Sequence, residues 1–119
     1  MKGKQFIIDY HIYPGNTLVF AGMEKDYVIG CLRENLDDDY GLQIIESNID
    51  FGLNFVFNFP KGKMFVFFKD EKPSAGIIAH EALHLVERIM EYIGNKDVPV
   101  NETWNYLLEY IVDKIHTEL

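Results

Sequence analysis

A chain of 119 residues is the size of one domain, and 48% hydrophobic with 14% aromatic residues is enough for one core without disulfides. A net charge of −8 opposes binding to nucleic-acid phosphates, and no apolar run reaches the ~18 residues of a membrane span. The single cysteine, Cys31, excludes an internal disulfide and reads as a small buried residue in a reducing compartment.

Met1-Lys2-Gly3-Lys4 is basic but leads into an alternating pattern with Asp9 and His11, unlike a secretory signal, so a cytoplasmic location is expected. Gln5 to Tyr13 is rich in β-branched and aromatic residues and predicts a strand. Pro14-Gly15-Asn16 signals a turn, and Thr17 to Ala21 predicts a second strand that pairs with the first as a hairpin. From Met23 to Leu36, Tyr27, Val28, Cys31, Leu32 and Leu36 fall at helical spacing, which predicts a helix; a strand at 27–32 is the alternative. Asp37-Asp38-Asp39 and Gly41 read as a solvated turn, since no spaced calcium-ligand loop follows. Leu42 to Asp50 shows no clear period. Gly52 to Phe59 and Met64 to Phe68 are aromatic strands either side of Pro60-Lys61-Gly62, the best hairpin in the chain.

Ser74 is placed to cap a long helix that runs to about Ile93 and stops at Gly94-Asn95. Ile77, Ile78, Ala79, Ala82, Leu83, Leu85, Val86, Ile89, Met90 and Ile93 make it apolar around most of its circumference, so burial is expected. Within it lies His80-Glu81-Ala82-Leu83-His84, a His-Glu-x-x-His motif. Residues four apart share a helical face, so His80 and His84 point the same way, as two imidazole ligands of one zinc ion would. Glu81 is turned roughly 100° from His80, which suits a general base acting on water whose pKa a zinc ion lowers to about 7. Other divalent ions also accept His and carboxylate. The bland reading, two polar residues on a solvated face, conflicts with the apolar setting.

Asn101 is placed to cap a last helix from about Glu102 to His116, with Trp104, Leu107, Leu108, Ile111 and Ile115 as its apolar stripe. A third metal ligand is still needed. The metzincin spacing would want Gly and His where this chain has Glu87 and Met90. Glu87 rises about 10.5 Å from His80 along the helix, too far to share the ion, and reads as a neighbour of His84. Periodicity leaves Glu102 open between a third ligand and a first-turn acid favoured by the helix dipole, with Glu109 and Asp113 on the same face.

Residues 75–115, from Ala75 through the His80–His84 motif to Glu102, Trp104, Tyr106, Leu107 and Tyr110, resemble short phage-encoded metallopeptidases of the zincin type. Glu109 departs from the small residue expected at its position and is given no role. The resemblance covers the C-terminal third. It implies an α+β fold in which a small, mostly antiparallel sheet packs against the motif helix and a C-terminal helix, a minimal zincin-like domain. It also implies Glu102 as third ligand, in the gluzincin manner. The expected function is a zinc-dependent metallopeptidase of residues 1–119 acting on a peptide or protein substrate. His80, His84 and Glu102 would hold one Zn2+, Glu81 would be general base, and Tyr106, one turn past Glu102, would stabilise the oxyanion. The alternative is a non-catalytic, metal-stabilised binding protein with an acidic interaction surface. Nucleic acid and membrane are not expected partners; oligomeric state is open.

Overall fold

Strand alternation and helical stripes divide the apolar residues between two faces of a sheet. The computed structural model describes residues 3–10, 15–34, 39–59, 63–93 and 102–119. The elements are β1 (Lys4–Asp9), β2 (Asn16–Ala21), α1 (Lys25–Arg33), α2 (Asp39–Asp50), β3 (Phe55–Asn58), β4 (Lys63–Phe68), α3 (Ala75–Tyr92) and α4 (Glu102–Glu118). The class is α+β, with four helices and a four-stranded sheet among the described residues, the strands in the order β1-β2-β4-β3.

Both expected hairpins form. Lys4 of β1 faces Ala21 of β2 and Asp9 faces Asn16; Phe55 of β3 faces Phe67 of β4. The two hairpins join through a parallel ladder between β2 and β4, with Val19 beside Val66, so the sheet is mixed rather than simply antiparallel. A parallel joint needs a long crossover. Here α1 and α2 lie in the connection from β2 to the second hairpin and cover one face of the sheet. The central strand β4 is buried from Met64 to Phe68, as expected of a strand covered on both sides.

One face carries Phe20, Phe55, Phe65 and Phe67 against Val28, Ile29, Leu32, Leu42 and Ile45 of α1 and α2. The other carries Ile8, Val19, Ala21, Met64, Val66 and Phe68 beneath α3 and α4. The α4 stripe holds: Trp104, Leu107, Ile111 and Ile115 are buried and Leu108 partly so. The Tyr110 hydroxyl donates to the Asp9 carbonyl at 2.8 Å, tying α4 to the end of β1. Cys31 is half-buried at the edge of the aromatic cluster, not fully inside as its residue type suggests.

Three expectations change. The stretch 42–50, read without a period, is α2; Gly41, Ser47 and Asn48 are weak helix formers, yet Leu42, Ile45 and Ile49 recur at helical spacing and pack on the aromatic cluster. Asp39, read as part of a turn, sits in its first turn, where an acid suits the helix dipole. Gly52, read as the start of a strand, is instead the stop of α2: its φ is 73° and its N–H donates to the Ile49 carbonyl at 3.0 Å. Gly22, after β2, has φ 69°, and a Cβ there would stand 2.7 Å from the Glu71 backbone N. The turns at Pro14 and Pro60–Gly62, the pair Asp37-Asp38, the stop at Gly94-Asn95, the link to Val100 and the cap at Asn101 lie outside the described residues. No described helix is long and apolar enough to cross a membrane.

Candidate functional site

The register of α3 begins at Ser74, whose hydroxyl accepts from the Ile77 N–H at 3.2 Å from an extended backbone. That cap satisfies a first-turn donor and sets which residues face the sheet. Ile78, Ala82, Leu85, Val86, Ile89 and Met90 are buried. Burial covers about half the helix rather than most of it, because Ala79, His80 and Leu83 lie on the outer side. The motif straddles the boundary. His80 is exposed, His84 half-buried, and Glu81 is 5% exposed, one of two buried polar residues among the described ones.

The two imidazoles meet as the spacing predicts. Their Nε2 atoms stand 3.2 Å apart, with ring centroids 4.7 Å apart and planes at 80°. At this separation the two ring nitrogens can share one hydrogen bond, its direction set by the tautomers. Two nitrogens bound tetrahedrally to one zinc ion at 2.0–2.1 Å would lie about 3.3 Å apart. The separation of the pair matches the edge length of a zinc coordination tetrahedron. Glu87 is a neighbour of His84, its Oε2 lying 4.0 Å from Nδ1, both side chains about half exposed. A carboxylate there favours the Nδ1–H tautomer and leaves Nε2 with its lone pair for a metal.

Burial pushes the Glu81 carboxyl above its usual range; His80 and then His84 pull it partly back. A carboxylate stripped of water binds a proton more tightly, which suits a general base working near neutral pH.

The site opens into a cleft of about 230 Å³ between α3 and the sheet edge. Asn54, Phe55 and Val56 form its wall, and Arg88, one turn beyond His84, also lines it. Among the described residues β3 is the outermost strand on this side, and one of its backbone edges has no strand partner among them. The sequence leaves Met64–Lys69 open between an edge strand beside the motif helix, able to pair with an extended substrate, and plain hairpin packing. The structure puts β4 between β2 and β3, and β3 takes the edge position. The exchange is forced by burial: β4 is apolar on both faces, whereas Val56, Phe57 and Asn58 are half-buried or exposed.

Glu102 opens α4, but its side chain lies outside the described residues. Among those described, no group of three or more His, Cys, Asp or Glu side chains is placed to hold a metal ion. Tyr106 is 65% exposed on α4 and is not among the side chains lining the cleft. Glu109 and Asp113 are exposed. Sequence reasoning missed Asn54 and Arg88. Arg88 had a signal, since it continues the i, i+4 series from His80 and His84; Asn54 had none, because its place depends on strand order. No protein-family model, curated protein or solved structure matches the chain.

Proposed function

We propose that the chain is a zinc-dependent metallopeptidase, with His80, His84 and Glu102 as metal ligands and Glu81 as general base. On this reading α3, α4 and the sheet form a minimal zincin-like domain, with α1 and α2 as an added layer. The observation that supports it most is the 3.2 Å approach of the two Nε2 atoms beside a buried carboxylate. When bound, the ion would polarise a peptide carbonyl and acidify water. The protein's part is the rest of the cycle. Glu81 takes a proton from the attacking water and delivers it to the leaving amine, and its raised proton affinity favours the first of these transfers. Phe55 and Val56 give the cleft an apolar wall. The open edge of β3 can align an extended substrate backbone by strand addition.

The test is the Glu81→Gln variant, assayed for zinc by elemental analysis and for cleavage with quenched peptides. It should keep zinc and lose about 10²–10⁴-fold in turnover. Cleavage at the wild-type rate by this variant sinks the role of Glu81. Zinc held by four protein ligands with no turnover would favour the metal-stabilised binding protein instead.

A further inference from the structure

We infer that Arg88 and Asn54 form a carboxylate-binding subsite, selecting peptides that carry an acidic side chain or a free C-terminus next to the bond that is cut. The inference rests on the peptidase reading and adds a substrate class to it. Three observations converge. Arg88 lines the same cleft as His80, His84 and Glu81, and it is the cationic side chain among the described lining residues of a chain with net charge −8. Its guanidinium meets Glu91 at 3.5 Å, but both side chains are about half exposed. Such an i,i+3 surface pair is weak and yields readily to a better-placed carboxylate, which Arg can bind with two parallel N–H donors. Asn54, at the start of the β3 wall, lines the same cleft as Arg88. Its Oδ1 accepts from the Lys69 backbone N–H at 2.9 Å, which fixes the amide and leaves its NH₂ group as the remaining donor.

The distances set where the carboxylate falls. From His84 to Arg88 the helix rises about 6 Å, the length of about two residues of extended chain. A peptide added to the edge of β3 follows the strand whose Phe55 and Val56 line the cleft, so its carboxylate reaches Arg88 within about two residues of the scissile bond.

The experiment uses zinc-loaded Glu81→Gln protein, which binds without cutting, and three hexapeptides of equal length. One is neutral and C-terminally amidated, one carries an internal Glu and an amidated end, and one is neutral with a free C-terminus. Calorimetry should show at least one carboxylate peptide bound about tenfold more tightly than the neutral one. Preference for the internal Glu marks an endopeptidase subsite, and preference for the free end marks an exopeptidase. Adding Arg88→Gln should erase the preference and Arg88→Lys should restore part of it. Zinc uptake with equal affinity for all three peptides overturns the subsite alone, as does a preference that survives Arg88→Gln. Failure to take up zinc overturns the metal reading and this inference with it.

Discussion

The two faces of the sheet are built from different materials. Beneath α1 and α2 the sheet is aromatic: Phe20 and Phe65 meet edge-on at 5.5 Å, Phe55 and Phe65 at 5.6 Å, and Phe55 and Phe67 also at 5.6 Å. Beneath α3 and α4 it is mostly aliphatic and smaller, with Val19, Ala21 and Val66 below helices of 18 and 17 residues, against 9 and 12 on the aromatic side. Large rings bury much area under short helices that hold little area of their own. Small residues give a long helix a continuous bed, and a helix seated along its length holds its side chains in fixed directions. The candidate chemistry lies at the rim of that second face, where α3 passes the edge strand β3. One face thus serves mainly stability and the other mainly position, as a site mounted on rigid elements requires.

Substitutions can separate the two faces. The largest effect belongs to Phe65→Ala in the aromatic layer. It should cost about 3–5 kcal/mol in denaturant unfolding, while zinc affinity of the folded fraction stays at the wild-type level. Loss of zinc affinity in step with stability would show that the faces are not independent. Next is Glu87→Gln on the positional face. On the proposed metal reading, zinc affinity by chelator competition should fall by up to about tenfold, the low end for a partner of a ligating His, because the pair is about half exposed and 4.0 Å apart. Unchanged affinity would remove Glu87 from the site.

Tyr10→Phe probes the polar spot inside the second face. The Tyr10 hydroxyl is buried against Thr17, and its loss should cost about 1 kcal/mol at pH 7. Burial raises the Tyr10 pKa above its ordinary 10.0, with the Thr17 hydrogen bond opposing in part. The folded-state value lies above the unfolded one, so the contribution is complete below pH 10 and is lost as pH rises past it. Wild-type stability should therefore fall above about pH 10, and the variant should fall less; parallel curves would mean Tyr10 does not control alkaline unfolding. The smallest effect is Ser74→Ala, which removes the α3 cap. About 0.5–1 kcal/mol should appear as a lower melting temperature, with zinc affinity kept, since the packed stripe of α3 still fixes its register.

Legibility followed the range of the interactions. The α3 motif, the Ser74 cap, the α4 stripe and both hairpins were readable because each rests on contacts within a few residues or on a period within one element. The helix α2 was obscured because Gly41, Ser47 and Asn48 argue locally against it, and only packing of Leu42 and Ile45 on the aromatic layer overrides them. Glu81 was legible as a candidate base by its place in the motif, but not its burial, which depends on what α3 packs against.

By itself, the sequence determined that two imidazoles share one helical face with a carboxylate beside them, because a turn of helix is fixed geometry. Only the tertiary structure decided which strand stands beside them. Strand order is set by which strands can be buried on both sides, and the doubly apolar Met64–Phe68 segment took the interior and left Phe55–Asn58 at the edge. That choice brought Asn54, Phe55 and Val56 to the histidines and gave Arg88 a cleft to face.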